Sequence, residues 1–219
     1  MKFRFCSGFF LLIMQQLAVA DPVNPYDYDE VASKVFWNEL YDGQGWTLYC
    51  GLRLASIPSL TISGMTVSIE HIYTSNRMVQ ALGCHSRKQC YENNPDFRIM
   101  ESDLHNLYPV WIDASNALYD SEYGIIEGEY WRFENCDLER KKGVVEPRPV
   151  ARGNIARAIF YMHNTYNLPV SEQTIEILKT WNLADPPSKQ EIRRNEKIQK
   201  LQGRRNPYID KPSLITTLK

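Results

Sequence analysis

The sequence predicts a mixed α+β fold, with a small sheet in the first half of the chain and helices dominating the second half. Residues 67–72 alternate apolar and polar side chains, which is the pattern of a half-buried strand. Residues 151–166, 171–181 and 188–201 instead carry apolar side chains at helical spacing or open with a capping serine. The 219-residue chain is 43% hydrophobic and 12% aromatic, which suits a packed core and excludes a disordered chain.

The first twenty residues have the composition of a secretory signal peptide. Lys2 and Arg4 precede an apolar run at residues 9–14, and residues 18–20 offer small side chains for cleavage. The apolar run is too short to span a bilayer, and no later run is long enough. We therefore expect residues 1–20 to be removed and residues 21–219 to form one domain, secreted or periplasmic and not inserted in a membrane.

Four cysteines follow the signal segment. An even number in an exported protein favours two disulfides, and the spacing does not match the usual zinc patterns. Cys84 and Cys90 enclose a short loop, so this pairing is the first choice, and it leaves Cys50 for Cys136.

Local patterns predict the remaining elements. Helices are expected at residues 27–41, 74–82 and 97–104, strands at residues 46–50 and 130–133, and a loop at residues 83–95. Pro109 is expected to open a helix at its first turn, where its missing N–H has no cost.

Glu70 and His71 end the predicted strand at residues 67–72, and neighbouring residues of a strand point to opposite faces. A carboxylate is a ligand that suits Mg²⁺, and a neutral imidazole suits a general base. Asn116 would add an oxygen ligand without charge. The three residues predict a one-metal hydrolytic site. The alternative is a glutamate in solvent and a histidine bonded to the backbone.

The net charge is −1, which excludes a uniformly basic protein that binds nucleic acids through its bulk charge. The charges are nevertheless sorted, because residues 189–219 carry nine basic and three acidic side chains. This segment is either a solvated helix face or a surface that contacts a phosphate backbone. The candidates for such contacts are Arg193, Arg194, Lys197, Arg204 and Arg205.

Several ordered motifs resemble those of the bacterial endonuclease I family of exported nucleases. They are YCG at residues 49–51, EH at 70–71, SRK at 86–88, DLHNLYP at 103–109, RGNIARA at 152–158 and QGRRNPY at 202–208. The pair EH is common, whereas DLHNLYP and the order of the whole set are specific.

The resemblance implies a ββα-metal nuclease core with additional, mostly C-terminal helices, and a monomer that cleaves DNA, often also RNA, with little sequence preference. His71 then corresponds to the general base and Arg87 to the arginine on the scissile phosphate. Glu70 and Asn116 correspond to the protein ligands of one Mg²⁺ ion. His105 and Asn106 are expected to brace the site through backbone bonds.

The chain also departs from the family pattern. Asn116 matches the second ligand only with a one-residue slip in its spacing from Pro109, and Tyr119 stands where the family has an arginine. Two other interpretations therefore stay open. The chain could be a nucleic-acid-binding module with a degraded active site, or an exported metalloenzyme that acts on another phosphodiester.

Overall fold

The structure, a computed structural model, describes residues 26–54, 61–62, 65–118 and 121–217. The signal peptide predicted for residues 1–20 lies outside these residues. Among the residues described, helices and strands are mixed in an α+β fold, as predicted. None of the helices in these ranges is long and apolar enough to cross a membrane.

The elements follow one another in the order of the chain. The strands are β1 (Thr61–Ile62), β2 (Met65–His71), β3 (Leu107–Trp111), β4 (Glu122–Tyr123), β5 (Trp131–Phe133), β6 (Cys136–Lys141) and β7 (Val144–Pro147). The helices are α1 (Tyr28–Glu30), which continues as a π-helix (Val31–Tyr41), α2 (Ser75–Ala81), α3 (Arg87–Asn93), α4 (Pro95–Glu101), α5 (Ile112–Leu118), α6 (Pro149–Tyr166), α7 (Glu172–Ala184), α8 (Lys189–Gln202) and α9 (Pro207–Asp210). Short 3₁₀ turns occupy Leu104–Asn106 and Pro212–Thr217.

The centre of the fold is the antiparallel pair of β2 and β3, with β1 on the outer side of β2. In this pair Glu70 lies opposite Tyr108, and His71 lies opposite Leu107. Helix α5 begins at Ile112, directly after β3 ends. Two antiparallel strands followed by a helix form the ββα unit that the resemblance implied.

The ββα unit separates two hydrophobic clusters. On one side, Val67 and Ile69 pack with the π-helix and Ile198 of α8. On the other side, Ala114 and Ala117 of α5 belong to the larger cluster, which includes α6 and α7. Because successive side chains of a strand alternate between faces, the end of β2 presents side chains to both halves of the molecule.

The second sheet has the strand order β4-β7-β6-β5. A disulfide between Cys50 and Cys136 joins the start of β6 to the segment that precedes β1, and a second disulfide links Cys84 to Cys90 of α3. These are the two pairs that the cysteine spacing predicted.

Helices α6 and α8 are joined by a buried ion pair. Both side chains of the pair are fully buried, and Arg157 donates to the two carboxylate oxygens of Glu191 at 2.7 and 2.6 Å. Gly153 lets the Asp185 carbonyl approach α6, since a Cβ at this position would lie 1.9 Å from that oxygen. The RGNIARA motif therefore supports packing between helices.

The C-terminal helices begin where their capping residues predict. Ser171 accepts a bond from the Thr174 backbone N–H at 3.2 Å, and Ser188 accepts one from the Glu191 N–H at 3.1 Å. Gly203 ends α8 with a φ of 79°.

Three local predictions were wrong. Residues 46–50 form turns with one bridge from Trp46 to Arg53, so no regular strand lies there. Pro109 does not open a helix but belongs to β3. Its carbonyl points to the outer side of β3, where it accepts from the Leu48 N–H at 2.8 Å. A proline on an edge strand interrupts no ladder bond, so the residue is compatible with the sheet.

The predicted loop at residues 83–95 contains α3. Ser86 caps this helix by accepting from the Gln89 N–H at 3.1 Å. Asn94 caps α4, and Pro95 occupies its first turn. The spacing of Ser86 and Gln89 fits a capping box, so this sequence signal for α3 was present.

Candidate active site

His71 is the last residue of β2, and the tertiary structure encloses its imidazole. Its Nε2 lies 2.8 Å from the backbone oxygen of Glu101, at the end of α4. A carbonyl can only accept, so Nε2 carries the proton and Nδ1 keeps its lone pair. Burial lowers the pKa of His71 to about 4, and the nearby Arg87 also lowers it, against the opposing effect of the Glu101 carbonyl. The residue as a whole is partly accessible to solvent.

Glu70 points to the opposite face of β2, toward α5. Its Oε2 accepts a hydrogen bond from the Ser115 hydroxyl. Burial raises the pKa of Glu70 to about 7, and the bond from Ser115 only partly offsets that effect. None of the ion pairs among the described residues includes Glu70. A partly buried carboxylate without a cationic partner is a group that a metal ion would neutralise.

Asn116 follows Ser115 in α5, and its side chain is exposed. Successive residues of a helix are separated by about 100°, so the two side chains leave α5 in different directions. The side chain that bonds Glu70 is that of Ser115. Ser115 is one residue closer to Pro109 than Asn116, so its spacing from Pro109 needs no slip to match the family's second ligand. The ligand role of Asn116 stays a prediction, and Ser115 is a neighbouring hydroxyl that the candidate residues did not include.

Arg87 begins α3 and lies on the His71 side of the site. Its Nε donates to Oε1 of Glu101 at 2.5 Å. The carboxylate of Glu101 is fully buried, whereas 54% of the Arg87 side chain is exposed. Glu101 thus holds the imidazole through its backbone and the guanidinium through its side chain. Glu101 was not among the predicted site residues, although it lies two residues before the DLHN motif.

His105 and Asn106 of the DLHN motif bond to the backbone, as expected. Asn106 accepts from the Tyr73 N–H at 2.7 Å and donates to the Tyr73 carbonyl at 2.9 Å, so it holds the chain just beyond His71. His105 bonds the Arg204 carbonyl at 3.0 Å, and burial lowers its pKa to about 4. Asp103 accepts from the hydroxyls of Tyr161 and Tyr166.

Four of the five basic residues that were predicted to contact a phosphate backbone lie at least partly on the surface. Arg193 and Arg204 are exposed. Lys197 is exposed as well and donates to the Leu40 carbonyl at 3.1 Å. Arg205 is ion-paired with Asp210.

Arg194 is a core residue, and the prediction that it contacts DNA does not fit its position. It is 9% exposed and donates to the carbonyls of Leu104 and Leu107, both at 2.6 Å. Its guanidinium also donates to the Tyr41 hydroxyl and lies 4.0 Å from the ring centroid of Tyr108. These contacts use the guanidinium to join α8 to the ββα unit.

A separate group of carboxylates could hold a metal ion in the second sheet. Oxygens of Glu129, Asp137 and Glu139 all lie within 4.8 Å of one another. Glu139 is buried and already accepts from the Tyr130 N–H at 3.2 Å. No sequence motif marks this group, because the pairing of β5 with β6 brings Glu129 close to the two carboxylates of β6.

Comparison with known proteins agrees with the family resemblance that the motifs indicated. The sequence profile of the endonuclease I family matches residues 38–213. A periplasmic deoxyribonuclease of Aeromonas hydrophila is 30% identical over 194 residues, which cover 79% of this chain and 81% of that protein. An extracellular deoxyribonuclease of the same organism is 27% identical over 201 residues, which cover 82% and 87%.

A further relative is named for a different nucleic acid. An extracellular ribonuclease of Bacillus amyloliquefaciens is 30% identical over 136 residues, which cover 51% of this chain and 44% of that protein. The family match itself spans most of the chain and includes the ββα unit with both of its strand-end residues. The chain therefore belongs to the endonuclease I family.

Proposed function

We propose that this endonuclease is an exported, Mg²⁺-dependent enzyme that hydrolyses phosphodiester bonds of DNA, and of RNA as a second substrate, with little sequence preference. The observation that carries the proposal is the end of β2. There a neutral imidazole with a lone pair at Nδ1 follows a partly buried carboxylate on the opposite face, and that carboxylate has no cationic partner among the described residues.

His71 would act as the general base. The Glu101 carbonyl holds the Nε2 proton, so the ring accepts a proton from water at Nδ1. The lowered pKa keeps the imidazole neutral at physiological pH, which is the form that can accept a proton. A positioned base contributes about 10²–10⁴-fold to the rate.

Glu70 and Asn116 would hold one Mg²⁺ ion. Two protein oxygens suffice, because Mg²⁺ keeps several of its waters. When bound, the ion would neutralise charge on the leaving oxygen. Ser115 would hold the Glu70 carboxylate from the α5 side, as it does in the free protein.

Arg87 would bind the scissile phosphate. The bond to Glu101 uses Nε, which leaves the terminal guanidinium groups for phosphate oxygens. The half-exposed side chain supports this role, because a fully buried guanidinium could not reach a substrate.

The substrate class rests on the relatives, whose names include both deoxyribonucleases and a ribonuclease. Their names also include extracellular and periplasmic proteins, which supports export of this chain. Arg193, Lys197, Arg204 and Arg205 would add phosphate contacts at the surface. We further propose a monomer in solution, which light scattering on the purified protein would test.

Cleavage of plasmid DNA and of labelled RNA tests the proposal. We expect nicking and linearisation of the plasmid in Mg²⁺ and no cleavage in excess EDTA. His71→Ala is the control for a contaminating nuclease. Cleavage that persists in EDTA would refute the metal role. Binding of DNA without cleavage by the wild type would support the alternative of a binding module.

A further inference from the structure

We propose that Tyr28 is a positioning residue that holds His71 and Arg87 in their productive orientations, so that the start of the N-terminal helix forms part of the active site. The inference deepens the proposed nuclease function and rests on it. The family profile begins at residue 38, so the matched segment does not include Tyr28.

The ring of Tyr28 contacts both catalytic side chains. Its centroid lies 5.1 Å from that of the His71 imidazole, with an angle of 34° between the planes. The guanidinium carbon of Arg87 lies 5.4 Å from the same centroid, which is within the range of a cation–π contact. One aromatic ring therefore joins the base to the arginine.

A second contact fixes this ring in place. Asp27 caps α1 by accepting from the Glu30 N–H at 3.0 Å, and its other oxygen accepts from the Tyr91 hydroxyl at 2.8 Å. Tyr91 lies four residues after Arg87 in α3, and residues at this spacing share a helix face. The Asp27–Tyr91 bond thus attaches the segment that carries Tyr28 to the helix that carries Arg87.

The contribution of Tyr28 comes from its ring. Both contacts are made by the aromatic ring, and burial raises the pKa of the phenol to about 12, so the side chain is neutral at physiological pH. Phenylalanine should therefore preserve the role, and leucine should remove it.

Loss of the ring should reduce kcat more than it raises KM. The bond from Nε2 to the Glu101 carbonyl leaves the imidazole free to tilt once its stacking partner is absent. Small errors in the position of a catalytic group cost up to about 10²-fold in rate. Affinity for a nucleic acid is set by many phosphate contacts, so KM should change less.

The test compares single variants by steady-state cleavage of a fluorescent DNA duplex, with thermal unfolding as a check on folding. For Tyr28→Leu we expect kcat to fall by about 10- to 100-fold, with KM within about threefold of the wild type. Tyr28→Phe should keep kcat within about threefold. Tyr91→Phe removes the Asp27 bond and leaves Tyr28 intact, and it should lower kcat by about 3- to 10-fold.

Tyr130→Leu is the matched control. Tyr130 lies beside the second sheet and also has a cation over its ring, with Lys141 Nζ at 4.8 Å from the centroid. This variant should retain the wild-type kcat. Wild-type kcat in Tyr28→Leu, a change confined to KM, or failure of phenylalanine to restore kcat would each overturn the inference. An inactive wild type would instead refute the proposed function.

Discussion

Substitution of Arg194 tests whether this arginine stabilises the core or binds DNA. Arg193 and Arg194 are adjacent in a basic helix, and sequence reasoning treated both as phosphate contacts. In the structure Arg193 is exposed, whereas the Arg194 guanidinium bonds two backbone carbonyls and a tyrosine hydroxyl. We predict that Arg194→Met destabilises the fold and leaves the salt dependence of DNA binding unchanged.

The expected magnitude follows from the groups that Arg194 satisfies. Methionine keeps much of the apolar stem and cannot donate to the carbonyls of Leu104 and Leu107. Leaving a buried acceptor without a partner costs about 1–3 kcal/mol. The Leu104 carbonyl keeps its bond from the Leu107 N–H, so this loss of about 1–3 kcal/mol comes from the Leu107 carbonyl. The 4.0 Å stacking on Tyr108 adds about 1–2 kcal/mol for a desolvated cation–π contact.

Urea unfolding followed by circular dichroism measures the stability, and DNA affinity across a range of salt concentrations measures the phosphate contacts. Arg193→Met is the matched control, with a stability change within about 0.5 kcal/mol. If Arg193 binds a phosphate, the slope of log affinity against log salt falls by about 1 in that variant. A smaller salt slope in Arg194→Met, at wild-type stability, would show that this reasoning is wrong.

Three further predictions concern the active site and the response to pH. His71→Ala should lower the single-turnover cleavage rate by about 10²–10⁴-fold, while calorimetry still detects Mg²⁺ binding. Glu70→Ala should lose both cleavage and Mg²⁺ binding. Equal loss of Mg²⁺ binding in the two variants would show that His71 is a ligand. Asn116→Ala should lose Mg²⁺ affinity, as Glu70→Ala does. If Asn116→Ala keeps full Mg²⁺ affinity and Ser115→Ala loses it, Ser115 is the second ligand and the predicted role of Asn116 is wrong. His105 has a pKa of about 4 in the folded protein and of about 6.5 in the unfolded chain, so between these pH values the unfolded chain binds a proton that the folded protein does not. The free energy of unfolding should therefore decrease by about 3 kcal/mol as the pH falls from 6.5 to 4. Denaturation of His105→Gln between pH 7 and 4 should show a shallower loss than the wild type, and identical slopes would contradict the assignment.

Much of the local structure was predictable because its causes lie within a few residues. Ser171 and Ser188 satisfy free N–H groups of the helix that follows them, so their positions mark its start. The close spacing of Cys84 and Cys90 indicated one disulfide and left the other pair by elimination. Pro109 was misassigned because its residue type suits both a helix start and an edge strand, and the pairing of β3 with β2 distinguishes them.

By itself the sequence determined the family, the class of fold, the disulfide pairs and the adjacent Glu70 and His71. The tertiary structure decided which of two neighbouring side chains faces inward. Ser115 reaches Glu70 and Arg194 enters the core, while Asn116 and Arg193 are exposed one residue away. The physical reason is that a helix turns by about 100° per residue, so the orientation of each side chain depends on how α5 and α8 pack against the ββα unit. That packing is set by contacts between residues far apart in the chain.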